Sequence, residues 1–285
     1  MTNERWALGG DLNVARIGYG AMKLTGWPRG EAPAHDTALA ILRRAVELGV
    51  NHIDTSNYYS RGGVAANELI RQALHPYPDD LVIVTKVGAL VEGSDIALPA
   101  EGKNGLTPDG LRRGVEANLR SLGVDRLDVV NLRMGDLDRS QASLAASLET
   151  LLALREEGLI RHLGVSNVTA EELAQARAIA PIACVQNLYN VSRRDDDPIV
   201  DVCAEAGIAY VPYFPVGGFQ PLTARHLEAV AARHGATVPQ VALAWLLARS
   251  PNILLIPGTG SLAHLEENLA AGALKLTAED LAELG

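Results

Sequence analysis

The chain has 285 residues, a length that suits one large α/β barrel or two smaller domains, and its 48% hydrophobic content is ample for a core. A formal net charge of −9, with no run of lysines or arginines, argues against nucleic acid and anionic membranes as partners. The N-terminal MTNERWALGG has no apolar core after a basic start, and no apolar run reaches the roughly 20 residues of a membrane helix, so the expected location is the cytoplasm.

A hairpin is expected around Gly9-Gly10, followed by a first strand over residues 16–22, where Gly18 and Gly20 permit close approach of another group. Apolar residues at Ala38, Ile41, Leu42, Ala45, Val46 and Leu48 recur at helical spacing over 36–48, and Gly49 ends that helix. The short run His52-Ile53-Asp54 then opens into a loop with two tyrosines, Tyr58 and Tyr59. A helix over about 64–74 leads to a strand over 81–86 that finishes on Lys86. Residues 87–106 carry Gly, Pro and Ser without helical periodicity, and so long a connection is usually functional or disordered; it reads as a substrate loop.

Thr107-Pro108 starts the next helix, to Leu122, with a cap and a proline at its first position. A strand over 127–133 and a helix over about 140–157 follow. Further strands are expected over 162–167, 182–187, 208–214 and 253–257. Their helices start at Thr169, with Glu172 completing a capping box, at Pro198, at Thr223 and Pro239, and at about Ser261. A last short helix is capped by Thr277. Eight strands alternating with helices imply parallel pairing and right-handed crossovers, which close a (β/α)8 TIM barrel. No linker divides the chain, so residues 1–285 are expected to form one domain.

Catalytic residues of such a barrel belong at the C-terminal ends of its strands. Asp54 ends one strand, Tyr59 follows five residues later, and Lys86 ends the next. That trio suits proton donation to a carbonyl oxygen. A free phenol titrates near pH ~10; an adjacent ammonium lowers that value, and Asp54 would keep Lys86 charged and oriented. The structural alternative is a rim ion pair beside a loop aromatic, because ion pairs perturb pKa values without any function. The three residues together, in this order, favour chemistry.

Other strand ends carry Asn131 and Arg133, Ser166 and Asn167, Gln186 and Asn187, Tyr213, and the loop Gly258-Thr259-Gly260. Ser166, Asn167 and Gln186 suit hydrogen bonding to a carboxamide, although each could equally cap a helix. Tyr213 lies between Pro212 and Pro215 and can offer a ring face for stacking, or be a core aromatic. The Gly258-Thr259-Gly260 turn leads into a helix whose free N–H groups can bind phosphate. No GxGxxG follows a strand, so a dinucleotide would lie across the barrel mouth. The seven histidines show no HxxxH or HExxH spacing, and the two cysteines, Cys184 and Cys203, sit among apolar neighbours; no metal site is expected.

The strings HIDTS with Tyr59, VTK at Lys86, LGVSN, VQN, Tyr213 with PVGG, and IPGT followed by HLEEN together resemble the aldo-keto reductase family, from the first strand to Asn268. LDVVNLR, CVQN and SPNILLIPGT look most like its bacterial pyridoxal reductase-like members. The resemblance implies a metal-independent barrel that reduces a small aldehyde or ketone with NADPH, NADH being the alternative. It implies Tyr59 as proton donor, tuned by Lys86 and Asp54, with Ser166, Asn167 and Gln186 on the carboxamide and Tyr213 stacked on the nicotinamide. Met22 joins the cofactor set, Phe214, Pro215 and Gly217 would line the pyrophosphate, and Gly258, Thr259, His264, Glu267 and Asn268 match the adenosine phosphate end.

Two departures from the family pattern stand out. Histidine is usual where this chain has Arg133. Alternation puts Asn131 and Arg133 on one face, so either could point at the substrate oxygen. The arginine, charged at every working pH, could stabilise a developing alkoxide or pair with an anionic substrate oxygen such as the ring oxygen of pyridoxal. Family members selective for NADPH often carry Lys and Arg where this chain has Gly258 and His264, and the expected substitutes are Arg193, Arg194, Arg225 or backbone alone. The competing expectation is a nicotinamide-binding regulatory or scaffold subunit on the same fold; keeping Asp54, Tyr59 and Lys86 together argues for an enzyme.

Overall fold

The computed structural model describes residues 4–28, 30–88, 105–135, 143–218, 222 and 225–285. The chain opens with an antiparallel hairpin, β1 (Arg5–Leu8) and β2 (Leu12–Ala15), turning at Gly9 and Gly10 as expected. Its Leu8, Leu12 and Val14 join Val82, Val84, Val129 and Leu254 in one buried cluster. Asp11 at the turn pairs with Arg161 at 2.8 Å and His162 at 2.6 Å, near the start of a barrel strand. The hairpin therefore plugs the N-terminal end of the barrel and leaves the opposite mouth for chemistry.

The first barrel strand, β3 (Tyr19–Gly20), is shorter than the expected 16–22. A 3-10 turn over Ala21–Thr25 replaces its end, closed by Gly26 in the left-handed region. The register is tight at this point, since a Cβ on Gly20 would lie 2.5 Å from the Ile256 carbonyl oxygen. Met22 consequently stands on a turn over the mouth, not on a strand.

Helix α1 (His35–Glu47) buries Ala38, Ile41, Leu42 and Ala45, the stripe that its sequence spacing defines. Next come β4 (His52–Asp54), a small ribbon of β5 (Ser60–Arg61) and β6 (Val64–Ala65), and α2 (Ala66–Leu74). Strand β7 (Val82–Gly88) runs two residues past Lys86. Most of the expected substrate loop, 89–104, lies outside the described residues. The units α3 (Pro108–Leu122), β8 (Leu127–Arg133), α4 (Leu144–Glu156), β9 (Ile160–Ser166), α5 (Ala170–Ile179), β10 (Ile182–Gln186) and α6 (Asp197–Glu205) follow. Thr107, Ser143 and Thr169 each accept a backbone N–H three residues on, which sets these helix starts.

Strand β11 (Ala209–Tyr210) is cut short of the expected 208–214 because Pro212 has no N–H to donate. Helices α7 (Arg225–His234), α8 (Val238–Arg249), α9 (Leu262–Ala270) and α10 (Ala278–Leu284) complete the chain. Seven parallel strands run in the order β11-β10-β9-β8-β7-β4-β3. The expected eighth strand, 253–257, makes two parallel bridges, Ile253 to Tyr210 and Leu255 to Ile17, between the sheet's two edges. It contributes bridges instead of a ladder because Pro251 and Pro257 bound it. These bridges close the ring, and the fold is the (β/α)8 barrel that the alternating elements imply. Among the described residues, no helix is long and apolar enough to cross a membrane.

Candidate active site

Inward-facing residues at the ends of adjacent strands build the site. Asp54 closes β4 and Lys86 lies on β7, which pairs with it. Lys86 Nζ donates to Asp54 Oδ1 at 2.6 Å, to Oδ2 at 2.8 Å and to the Thr55 carbonyl at 3.0 Å. Both side chains are only 4% exposed. A buried pair of this kind is tolerated when hydrogen bonds satisfy the remaining lone pairs. Gln186 meets that need, its Nε2 donating to Asp54 Oδ2 at 2.7 Å.

Tyr59 is anchored through its backbone, its N–H donating to the Ser56 carbonyl at 3.1 Å and its carbonyl accepting from Ala66 at 2.9 Å. Its ring packs 5.2 Å from Trp27 and 5.2 Å from Tyr58, and Lys86 Nζ lies 5.1 Å from its centroid. Burial pushes the Tyr59 phenol well above its ordinary value; Asp54 and Tyr213 push the same way and Arg133 opposes them. The net shift is upward, opposite to the lowering expected from Lys86, because burial is the largest effect on this phenol. Tyr59 therefore holds its proton at neutral pH, the state a proton donor needs.

Asn131 and Arg133 share a face but not a depth. Asn131 is fully buried, its Oδ1 accepting from Cys184 Sγ at 3.1 Å, and a Cβ on Gly164 would lie 2.0 Å from that oxygen. Arg133 lines the mouth, in a cavity of about 250 Å³ with Tyr58, Tyr59, Lys86, Ser166, Asn167 and Gln186. Of the two, Arg133 is the one placed to meet a substrate. Asp54 shares its strand with His52, whose ring is buried and whose pKa burial pushes down to about 4 against a weaker opposing effect of the Ala15 backbone.

A groove continues from this cavity, and the two share Met22, Tyr59, Gln186, Tyr213 and Phe214. Tyr213 donates from its hydroxyl to Asn167 Oδ1 at 2.8 Å and packs edge-on against Phe214 at 5.3 Å. Asn167 and Phe214, with φ of 58° and 56°, are the non-glycine residues with positive φ among the described residues, and such strain clusters at working sites. Pro215, Val216 and Gly218 extend the wall; Gly217 between them donates its N–H to the Phe214 carbonyl at 3.0 Å. A Cβ on Gly218 would meet the Phe214 ring at 2.5 Å, so only glycine fits. Across the groove, a Cβ on Gly258 would lie 2.5 Å from the Gly20 carbonyl oxygen. The floor is thus bare backbone beside a ring face and three side-chain amides or hydroxyls, which suits a flat nucleotide carrying a carboxamide and phosphates.

The far end of the groove lies at the turn into α9. Gly258 lines the groove, whereas Thr259, His264, Glu267 and Asn268 lie beyond its lining on the following turn and α9. Thr259 is buried, its carbonyl accepting from Tyr19 at 2.6 Å, and Glu267 Oε1 accepts from Thr237 at 2.6 Å, tying α9 to the cap of α8. Arg194 pairs with Asp197 at 3.0 Å and covers Trp245, and Arg193 pairs with Asp195 at 3.8 Å; neither lines the groove. The side chain of Arg225 lies outside the described residues. The cation that does line the groove is Lys23, beside Gly258. Sequence reading missed it, together with Trp27, Pro28 and Tyr58 of the cavity wall. Lys23 lies on the 3-10 turn after Gly20 and Trp27 and Pro28 just beyond its Gly26 cap, and reading a strand as far as Met22 hid that turn.

Among the described residues no group of three potential metal ligands occurs. An ammonium–carboxylate pair beneath a protonated phenol, at the mouth of a (β/α)8 barrel and continuous with a groove floored by bare backbone, defines a barrel oxidoreductase. The chain belongs to the aldo/keto reductase family, which it matches over residues 16–285. It is 53% identical to the pyridoxine 4-dehydrogenase of Escherichia coli over 100% of this chain and 98% of that one. A crystal structure of a thermostable aldo-keto reductase in complex with the inhibitor epalrestat aligns with a TM-score of 0.82 and 31% identity, covering 98% of both chains. The aldo/keto reductase of Klebsiella pneumoniae, in complex with NADP and acetate, aligns with a TM-score of 0.77 and 29% identity over 99% of this chain and 94% of that one.

Proposed function

We propose that this chain, acting as one domain in the cytoplasm, uses NADPH to reduce a small aldehyde to its alcohol, with pyridoxal and pyridoxine as the natural pair. The observation that carries the reading is the Lys86–Asp54 pair set under the face of a phenol that keeps its proton. Support for the cofactor comes from the bare-backbone groove and the Klebsiella pneumoniae relative in complex with NADP. Support for the substrate comes from the full-length similarity to pyridoxine 4-dehydrogenase.

When bound, the reduced nicotinamide supplies the hydride. Ser166, Asn167 and Gln186 would fix its carboxamide and Tyr213 its ring, while Phe214, Pro215, Lys23 and Gly258 would hold the phosphates. Tyr59 donates its proton to the carbonyl oxygen as negative charge develops there, and the product leaves as the alcohol. Lys86 stabilises the phenolate left behind, and Asp54 keeps Lys86 charged and aimed. Arg133 meets an anionic oxygen on the substrate ring. Trp27, Tyr58 and Phe214 give that ring flat apolar faces to lie against. Solvent returns the proton to Tyr59 once product has left.

The test is NADPH oxidation with a panel of aldehydes including pyridoxal, comparing the wild type with Tyr59→Phe. Turnover that collapses in the variant while NADPH still binds is the expected result. Wild-type protein that binds NADPH and reduces no carbonyl would sink the reading and favour a regulatory subunit.

A further inference from the structure

The two strands that carry the ion pair are bolted from behind. Thr55 follows Asp54, and its side chain, on the opposite face, reaches the inner surface of α2, where Thr55 Oγ1 donates to Asn67 Oδ1 at 2.8 Å. Thr85 precedes Lys86 and reaches α3, where Thr85 Oγ1 donates to Asn118 Oδ1 at 2.6 Å. Asn67 Nδ2 joins the two halves by donating to Asn118 Oδ1 at 3.0 Å and to Ser121 Oγ at 2.9 Å. Asn118 Nδ2 in turn donates to the Gly114 carbonyl at 2.8 Å. Thr55, Asn67, Thr85 and Asn118 are each no more than 1% exposed.

We infer that Asn67 and Asn118 are positioning residues for the reaction: through Thr55 and Thr85 they clamp the backbone on either side of Asp54 and Lys86 and so aim the Lys86 ammonium under Tyr59. This rests on the roles proposed above for those three residues. The clamp acts at a sensitive point. The Thr55 carbonyl is itself the third acceptor for Lys86 Nζ, at 3.0 Å, and Thr55 lies beyond the end of β4, where the ladder no longer fixes it fully. Its N–H donates to the Val84 carbonyl at 2.8 Å, and the side-chain bond to Asn67 supplies the second restraint. Apolar packing would join helix to strand as firmly, but it is non-directional. Hydrogen bonds have preferred lengths and angles, and a reacting group needs that directionality.

The alternative is that the four residues only satisfy one another in the core. The test separates the two with a volume-matched apolar pair, because removing both partners of a buried hydrogen bond is close to neutral for stability, and Asn118 Oδ1 and Ser121 Oγ, which lose Asn67 as donor, keep their bonds to Thr85 and to the Ala117 carbonyl. In the full chain with NADPH and pyridoxal, Thr55→Val/Asn67→Leu keeps the thermal midpoint near wild type. If Asn67 positions the pair, kcat falls by roughly ten- to a hundred-fold, the loss that a small misplacement of reacting groups produces. The KM for NADPH stays within about two-fold, since none of the four clamp residues lines the groove. The alkaline limit of kcat moves to higher pH, because a phenolate less well served by the ammonium forms later. Asn118→Leu/Thr85→Val behaves alike, and Asn67→Gln recovers part of kcat where Asn67→Leu does not.

A folded double variant with wild-type kcat and an unmoved alkaline limit overturns the inference and leaves the function intact. Loss of kcat only in proportion to loss of folded protein, measured by circular dichroism on the same samples, overturns it as well. A wild type that reduces no aldehyde fails the function first and removes the inference with it.

Discussion

Lys86 Nζ stands 5.1 Å from the centre of the Tyr59 ring while its two shortest hydrogen bonds, at 2.6 and 2.8 Å, both end on Asp54. The ammonium is therefore held by the acid and presented to the face of the phenol ring. Removing it leaves a carboxylate that is 4% exposed with Gln186 as its remaining donor. Lys86→Met is expected to lose turnover and about 3–5 kcal/mol of stability, the usual result of breaking a buried pair from one side. Denaturant midpoints and single-turnover rates on the same preparation check both losses. A variant as stable as wild type would show that Asp54 takes a proton instead of staying charged.

Arg133 lines the cavity beside Lys86, and it opposes the carboxylate's effect on the Tyr59 phenol. Arg133→Met is expected to raise KM for pyridoxal by at least ten-fold, about 1.4 kcal/mol, while changing KM for an uncharged benzaldehyde little. The measurement is the ratio of kcat/KM for the two aldehydes. Equal losses on both would assign Arg133 to the carbonyl oxygen, and no loss on either would make it a structural charge.

Much of this was legible in the sequence where local rules govern. Thr107, Thr169 and Thr277 cap the helices their spacing predicts, and Asp54, Tyr59 and Lys86 converge because strands of a parallel barrel all open at one mouth. What was not legible depends on depth and on turns. Alternation put Asn131 and Arg133 on one face, but only the barrel's register shows that Asn131 is sealed against Gly164 while Arg133 reaches the cavity. A strand ending at Gly20 and a 3-10 turn beyond it bring Lys23 and Trp27 over the mouth, and nothing in the periodicity of 16–22 marks that change. The phenol's titration also ran opposite to expectation, since burial outweighs an ammonium already paired with Asp54.

Lys23 is the cation lining the cofactor groove beside Gly258, in a chain that lacks a side chain at that glycine. If it meets a phosphate, Lys23→Gln is expected to weaken NADPH binding by about 1–2 kcal/mol, roughly 5- to 30-fold in Kd. The effect shrinks as salt is raised, because a half-buried charge pair is screened. Fluorescence titration of NADPH and NADH at two ionic strengths checks this. A loss equal for both cofactors places Lys23 on the shared pyrophosphate, and a loss confined to NADPH places it on the extra phosphate.

His52 lies on β4 two residues before Asp54, fully buried, its pKa pushed by burial from 6.5 down to about 4 against a weaker opposing effect of the Ala15 backbone. The sign follows from which state binds the proton. Below pH 6.5 the unfolded chain takes up a proton that the folded chain refuses until about pH 4, so protonation favours unfolding across that window. Stability is complete above the unfolded value and is lost as pH falls from 6.5 to about 4, by on the order of 3 kcal/mol for this shift. A Cβ on Gly18 would lie 2.3 Å from the ring, so the imidazole has no room to swing toward solvent and relieve the charge. Urea denaturation at pH 7 and pH 5 is expected to show the midpoint falling for wild type and falling much less for His52→Gln. An equal fall in both proteins would assign the acid sensitivity to carboxylates such as Asp11, held low by its hydrogen bonds to Arg161 and His162 against the effect of burial.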